Sequence, residues 1–230
     1  MKHALSAGQL EAIRRLGTCA VSNAIESFDV RLRNEGFADS RIRSLFPHLP
    51  PMLGYAVTAR IRCSSPPPVG HTYHESTDWL NYLITVPAPR VVVIQDIDPK
   101  PGFGAFVGEV HASIQRALGS VGAVTNGAAR DLQAVEAAGY QLFACNVAVS
   151  HAYAHMVEFG AAVEVGGLRI APGDLIFGDS HGVMTVPGEI AAEIPAQSEI
   201  IAQREQKVID LCKSRSFSLE KLREVIRDLE

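Results

Sequence analysis

The segment Phe106–Glu136, FVGEVHASIQRALGSVGAVTNGAARDLQAVE, decides the fold because it contains a complete helix, strand and helix pattern. Apolar residues at helical spacing predict an amphipathic helix from Val110. The short apolar run Val121–Thr125 predicts a strand, and Asn126-Gly127 predicts a turn after it. A second helix is predicted beyond that turn. This succession of helices around a buried strand is typical of an α/β layer.

Charged residues lie at the ends of these predicted elements. Glu109 precedes the first helix, and Arg130 and Asp131 open the second. The first turn of a helix has free N–H groups that attract anions, and ligands of α/β proteins commonly bind where strands end and helices begin. We therefore expect Glu109 and Asp131 to face one pocket. The alternative interpretation is a surface ion pair between Arg130 and Asp131, which would contribute little to stability.

Length and composition exclude several classes of protein. The chain has 230 residues, 47% of them hydrophobic, and a net charge of -4, which favours one large domain over residues 1–230. No block of Lys or Arg provides the positive patch needed for direct binding of nucleic acid or a membrane. The four cysteines form no CxxC pair, and the N-terminus lacks an apolar signal segment. We expect a reduced, cytoplasmic protein without a transmembrane helix.

The remaining sequence predicts a mixed α/β chain with helices at both ends. Ser6 is the predicted N-cap of a first helix, and Asn23 is expected to be a buried polar residue in the second. Near-continuous apolar residues at Arg90–Asp96 predict a strand buried on both faces, and Gly166-Gly167 predicts a hairpin. The other predicted elements are a helix at 18–25, a strand at 52–63, a helix at 78–86, strands at 140–149, 175–177 and 183–186, and helices at 189–213 and 218–229, the first of these kinked or restarted at Pro195.

Several histidines have side chains suited to metal binding. His71 and His74 lie close together, and His151 and His155 are four residues apart, on one face if that segment is helical. Neither spacing matches HExxH or another diagnostic metal motif. For the first pair, a loop that contacts substrate or a neighbouring subunit is favoured over a metal site. For the second, a structural pair or a hydrogen bond at a pocket edge is favoured, and the role of His181 stays open.

Two segments together resemble one protein family. The first combines Gly108-Glu109, the run GAVTNG at 122–127 and Arg130-Asp131, and the second is VGGLRIAPGDLIFGDSHGVMTVP at 165–187. The pattern is similar to that of the RraA-like proteins and, with a weaker match at 18–25, covers about 18–207. The family includes 4-hydroxy-4-methyl-2-oxoglutarate aldolases, oxaloacetate decarboxylases and regulator of ribonuclease activity A. The resemblance implies an α/β fold, a layered β/β/α domain of swivelling type, with a core at about 18–187, flanking N- and C-terminal helices and a C-terminal helical extension at 189–230.

The resemblance also implies roles for individual residues. Asp131 would bind a divalent metal, Mg²⁺ or Mn²⁺, and Arg130 would stabilise negative charge that develops during the reaction. Glu109 would hold water of the metal's shell or relay a proton. The substrate carboxylate would be held by a group of four residues, partly through backbone amides: Gly108, Val110, His111 and Arg130.

A late helix in the family places a glutamate in the active site of a neighbouring subunit of a trimer, or of a hexamer of two trimers. Glu205 matches that position, within a helix that is more apolar than a free surface helix needs. The resemblance therefore implies a homotrimer or homohexamer in which Glu205 joins Arg130 and Glu109 as a catalytic residue.

These observations predict a lyase. We expect a divalent-metal-dependent enzyme that acts on a small 2-oxo acid through a pyruvate enolate, by retro-aldol cleavage of 4-hydroxy-4-methyl-2-oxoglutarate or decarboxylation of oxaloacetate. One departure is Ala134, which stands where the aldolases have a further acid. The alternative is a non-catalytic, protein-binding regulator of the ribonuclease E type. The sequence leaves the physiological substrate open.

Overall fold

The computed structural model describes residues 4–67 and 76–228. The predictions for His71 and His74 concern residues outside these ranges. The helices are α1 Ala7–Arg14, α2 Thr18–Glu26, α3 Ser76–Leu83, α4 Glu109–Ala117, α5 Leu132–Ala137, α6 Ile194–Lys213 and α7 Leu219–Arg227. The strands are β1 Arg43–Ser44, β2 Met52–Arg62, β3 Arg90–Asp96, β4 Ala105–Val107, β5 Ser120–Ala129, β6 Gln141–Val147, β7 His155–Phe159, β8 Val163–Val165, β9 Leu168–Ile170, β10 Leu175–Asp179 and β11 Gly182–Val186.

Nine of the described strands form one sheet in the order β1-β6-β5-β3-β2-β10-β11, with β4 beside β5 and β7 beside β2. The central pairs β2–β3, β3–β5 and β5–β6 are parallel. Strands β1, β7, β10 and β11 pair antiparallel with their neighbours. The side chains of β3 from Val91 to Ile94 are fully buried, which confirms the strand predicted to be covered on both faces.

The sheet separates two apolar clusters. On one face the sheet packs against helices, with Ile13 of α1, Val21 of α2 and Ala112 of α4 in the same cluster. On the other face the hairpin β8–β9 contributes Val163 and Ile170. Hairpin, sheet and helices therefore form three layers, and the predicted layered β/β/α arrangement is confirmed. Strands β10 and β11 belong to the main sheet and not to the layer formed by the β8–β9 hairpin.

The predicted turn at Asn126-Gly127 is wrong, because β5 continues through these residues to Ala129. The Asn126 side chain supplies hydrogen bonds toward β3. Its Oδ1 accepts from the Asp96 N–H at 2.7 Å, and its Nδ2 donates to the Asp96 carbonyl oxygen at 3.0 Å. An amide that pairs with a neighbouring strand favours extended backbone over a turn. The longer strand leads directly into the start of α5.

One expectation about a polar residue is also wrong. Asn23 is exposed, since the buried face of α2 is formed by its apolar residues. The segment from His151 to His155 is a turn followed by β7, so the two histidines do not share a helical face. Ala152 has a φ of 50°, which interrupts any right-handed helix at this point.

The helices near both chain ends follow ordinary capping rules. The Ser6 side chain accepts a hydrogen bond from the Gln9 N–H, and the Gln9 side chain accepts one from the Ser6 N–H, which is a capping box. Helix α6 begins at Ile194 after turns at 188–193, which confirms the restart predicted at Pro195, because proline lacks an N–H and is tolerated only in the first turn. Among the described residues, no helix combines the length and apolar character needed to cross a membrane.

Candidate active site

A cleft of about 340 Å³ opens where α4 and α5 begin. Strand β4 and the N-terminus of α4 form one side, the end of β5 forms another, and the turn before β7 closes a third. Its wall combines cationic, acidic and apolar groups. The lining residues are Ala105, Phe106, Gly108, Val110, His111, Arg130, Asp131, His151 and Ala154.

Asp131 has an unusual backbone conformation for an aspartate that begins a helix. It is the N-cap residue of α5 with φ 54° and ψ 37°, in the left-handed region, and its side chain does not cap α5. Instead its Oδ2 accepts a hydrogen bond from the Glu109 N–H at 3.2 Å and lies 3.3 Å from Nε of Arg130. The carboxylate is thereby directed toward the start of α4, with its side chain 37% exposed.

Gly108 makes this approach possible. A Cβ atom at this position would lie 2.6 Å from Oδ2 of Asp131 and 3.0 Å from Cγ of Arg130. The backbone of Gly108 is extended, with φ -146° and ψ -167°, which any residue can adopt. Glycine is therefore required here for space and not for backbone freedom.

The N-terminus of α4 presents backbone donors to the cleft. The Ala112 N–H bonds to the Gly108 carbonyl oxygen at 2.9 Å, and the Glu109 N–H is used by Asp131. Helical geometry gives the N–H groups of Val110 and His111 no intrahelical acceptor. Two adjacent free amides at a helix N-terminus form a binding site for a carboxylate.

Arg130 is held by its backbone and leaves most of its guanidinium free. Its N–H donates to the Val107 carbonyl oxygen at 3.0 Å, which joins the end of β5 to β4. Only Nε contacts Asp131, and in the described residues the two terminal amino groups make no hydrogen bond to protein. They are therefore available to an anionic ligand that enters the cleft.

His111 contributes its side chain to the cleft as well as its amide. Its ring lies 4.5 Å from the Phe106 ring, centroid to centroid. Burial lowers the pKa of His111, and the charges of Arg130 and of His151 lower it further. A neutral imidazole therefore lies beside a permanent cation, and on the far side of the cleft Nδ1 of His151 is 3.0 Å from the Ala152 carbonyl oxygen.

The donors at this cleft fit an ion that keeps most of its water. Among the described residues, Asp131 is the carboxylate that lines it, and Mg²⁺ is commonly held by one or two carboxylates together with substrate oxygens and water. Gly108 leaves room beside that carboxylate. Ala134, in place of the family acid, donates its N–H to the Asp131 carbonyl oxygen at 3.0 Å and adds no ligand.

A closer group of metal-type donors, Cys63, Asp96 and Asp98, is buried elsewhere in the described residues. Its oxygens are already bonded: Asp98 accepts from the N–H groups of Cys63 and Ser64 and from the Ser64 hydroxyl, and Asp96 accepts from the N–H groups of Asp98 and Gly102. Burial, with the nearby Asp96 and Asp98 charges, raises the pKa of the Cys63 thiol to about 12. This cluster orders the loop that leads to β4.

The structure brings together most of the residues singled out from the sequence. Gly108, Val110, His111, Arg130 and Asp131 line one cleft. Two others do not. Glu109 contributes its N–H but has an exposed side chain outside the lining, and Glu205 is exposed on α6, which packs on α1 and α2.

Sequence reasoning missed the Phe106 ring as part of the cleft, whereas the hydrogen bond predicted at a pocket edge is found at His151. The signal for His151 was its place just after a predicted strand, where ligand-binding groups of α/β proteins collect.

Comparison of sequences finds relatives that match parts of this chain. A protein of Halalkalibacterium halodurans named "Putative 4-hydroxy-4-methyl-2-oxoglutarate aldolase" is 29% identical over 45% of this chain and 46% of its own. The chain spans between a quarter and just under two thirds of the length of the curated relatives it matches.

Two solved structures share the fold over nearly the whole chain. An uncharacterized protein from Pseudomonas syringae pv. tomato has a TM-score of 0.72 at 25% identity, with 96% of this chain and 94% of that chain covered. RraAS2 of Streptomyces coelicolor, described as an unusual member of the RNase ES inhibitor RraA family, has a TM-score of 0.69 at 20% identity, with 88% and 96% covered. The family profile described as RraA-like: Aldolase/RraA matches residues 18–185. With that match over most of its length, this chain belongs to the RraA-like family.

Proposed function

We propose that this protein is a divalent-metal-dependent lyase that cleaves a small 2-oxo acid to release pyruvate. The observation that carries the proposal is the contact of Arg130 and Asp131 across Gly108 at the N-terminus of α4. A carboxylate oxygen suited to a hard cation, an arginine and two amides of a helix N-terminus lie around one small cleft, which supports the proposal. The relative named as an aldolase supports the same class of reaction.

The substrate class follows from the charges in the cleft. Retro-aldol cleavage of a 4-hydroxy-2-oxo acid and decarboxylation of oxaloacetate both leave an electron pair on the carbon next to a ketone, which gives a pyruvate enolate. When bound at Asp131, Mg²⁺ or Mn²⁺ would act as a Lewis acid toward the keto oxygen. The amides of Val110 and His111 would bind the carboxylate, and the free amino groups of Arg130 would stabilise the charge that develops.

Glu109 and Glu205 complete the proposal as groups that move protons. Glu109 lies beside the cleft, where its exposed carboxylate can exchange protons with solvent. Glu205 would reach the cleft of a neighbouring subunit in a homotrimer or homohexamer. Exposed apolar side chains on α6 and α7 support such an assembly: Ile200, Ile209, Leu219 and Ile226.

A pyruvate-release assay tests the function. Oxaloacetate and 4-hydroxy-4-methyl-2-oxoglutarate are supplied with Mg²⁺, with Mn²⁺ and with a chelator, and Asp131→Asn is assayed beside the wild type. We expect metal-dependent release that the chelator abolishes, and weaker metal binding by Asp131→Asn with an unchanged unfolding midpoint. No pyruvate from either substrate, or unchanged metal affinity in the variant, would contradict the proposal.

A regulatory function is the second candidate, favoured by the similarity to RraAS2. Because a binding protein needs no enolate chemistry, it predicts no pyruvate release above that of a protein-free blank, in which oxaloacetate loses carbon dioxide slowly with the metal alone. The same assay therefore separates the two functions.

A further inference from the structure

The His111 side chain has no role in the reaction described so far, although it faces the cleft. It projects from the first turn of α4, at the third helical position, beside the amides assigned to the substrate carboxylate. Its ring contacts Phe106, which limits its rotation. In the described residues neither ring nitrogen hydrogen-bonds to a protein group. A fixed imidazole with an unused nitrogen is suited to exchange a proton with a ligand.

We propose that His111 is the general base that removes the hydroxyl proton of a 4-hydroxy-2-oxo acid during retro-aldol cleavage. The inference rests on the proposed function and makes it more specific. A substrate bound through its carboxylate at the α4 amides, with its keto oxygen toward Arg130, extends its remaining atoms along the cleft wall. That wall is formed by His111, Phe106 and Ala154.

The step balances without a further reactant. The O–H proton of the 4-hydroxyl group moves to the free nitrogen of His111, and the hydroxyl oxygen forms the carbonyl of the departing fragment. The bond between C3 and C4 breaks, and its electron pair forms the double bond of the enolate, with negative charge on the keto oxygen near Arg130. The enolate then takes a proton at C3 and becomes pyruvate.

The electrostatic surroundings favour this role. Arg130 and His151 are the charged and titratable side chains that, with Asp131, face His111 across the cleft, and burial together with the first two lowers the pKa of His111. The imidazole is therefore neutral, and able to accept a proton, at neutral pH. His151 lies on an exposed turn, and among the described residues no ring contact fixes it as Phe106 fixes His111.

Decarboxylation of oxaloacetate provides an internal control, because oxaloacetate has no hydroxyl proton for a base to remove. Both reactions share the same enolate, carboxylate site and Arg130. A general base contributes on the order of 10²- to 10⁴-fold to a rate. His111→Gln should therefore lower kcat for cleavage by at least about 100-fold and change kcat for decarboxylation by less than about threefold.

The experiment measures both activities of the Mg²⁺-loaded protein for the wild type, His111→Gln and the control His181→Gln, which replaces an exposed histidine in the β10–β11 turn. Calorimetric binding of oxalate, a planar analogue of the enolate, reports whether the variant site stays formed. In His111→Ala, added imidazole should restore cleavage selectively, which a structural role of His111 would not allow.

Each outcome decides the inference. Selective loss of cleavage with retained oxalate binding and imidazole rescue supports it. Equal loss of both reactions, no loss of either, or a wild type that decarboxylates oxaloacetate but cleaves no hydroxy acid overturns the role of His111 and leaves the lyase function standing. A wild type without either activity overturns the proposed function, and this inference with it.

Discussion

Replacing Gly108 with alanine tests whether the cleft depends on the close approach of Asp131 to α4. The added Cβ would lie 2.6 Å from Oδ2 of Asp131, whereas an ordinary contact needs about 3.4 Å. The carboxylate must therefore move by about 0.8 Å, which is more than the roughly 0.5 Å that a functional group tolerates. It also loses the hydrogen bond from the Glu109 N–H.

The cost to folding should be small. The extended backbone of Gly108 suits alanine, and the displaced Asp131 side chain, 37% exposed, can turn toward solvent. Overpacking in a closed core costs about 1–3 kcal/mol, and one partly exposed hydrogen bond contributes about 0.5–1.5 kcal/mol. Lower entropy of the unfolded chain offsets about 0.4–1 kcal/mol. We expect a net loss of about 1 kcal/mol and at least about tenfold weaker metal binding.

The assay combines a calorimetric titration with Mn²⁺ and urea unfolding followed by circular dichroism. Gly8→Ala is the matched control, because a Cβ there would meet no atom within 4 Å, and the added methyl group should stabilise α1 by about 0.5–1 kcal/mol. Wild-type Mn²⁺ affinity in Gly108→Ala would refute the assignment of the metal to Asp131. Loss of several kcal/mol in unfolding would show instead that Gly108 is needed for the fold.

Three further predictions concern charged residues. Arg130→Lys should lower kcat more than it weakens substrate binding, because a point charge replaces a planar donor where charge develops; equal losses in turnover and in the calorimetric affinity for pyruvate, a keto acid without the enolate charge, would argue against this. Glu205→Gln should reduce turnover without changing the mass measured by light scattering, and full activity would remove Glu205 from the site. Burial alone would raise the pKa of Asp179, but hydrogen bonds from Thr18 and His181 outweigh burial and hold it below its ordinary value. Its stabilising contribution is therefore present above the unfolded pKa of about 3.9 and is lost as pH falls through the folded pKa. Asp179→Asn should cost about 1–3 kcal/mol in urea unfolding at pH 7, and a cost that stays constant down to pH 3 would contradict this linkage.

The helices and strands that sequence analysis identified are those whose pattern lies within a few neighbouring residues. The residues of β3 from Val91 to Ile94 are all apolar, so in a layered α/β protein this run is stable as a strand that is covered on both faces. Gly166 and Gly167, with φ 58° and 73°, form the predicted hairpin turn because glycine reaches this region without strain.

The missed features depend on partners distant in sequence. Asn126 stays in a strand because it bonds to Asp96, thirty positions away, although Asn-Gly locally favours a turn. The imidazole of His111 enters the cleft because α4 packs beside β4 and β5. No spacing within the helix predicts Arg130 and His151 as its neighbours.

Asp131 has a left-handed backbone conformation at the start of α5, and the proposed metal and substrate site explains why this conformation is present. A non-glycine residue in the left-handed region loses roughly 1–2 kcal/mol, yet Asp131 is held there with φ 54°. Its contact with Arg130 is about one-third exposed on both sides, and such surface ion pairs contribute little, about 0–1 kcal/mol. Its carboxylate does not cap α5, where it could stabilise the helix. Stability alone therefore does not account for the position of this carboxylate, whereas a cation and an anionic substrate bound between α4 and Arg130 would. The hydrogen bond from the Glu109 N–H returns about 0.5–1.5 kcal/mol, which offsets the strain only in part, and backbone strain that local contacts do not fully offset is what functional sites typically show.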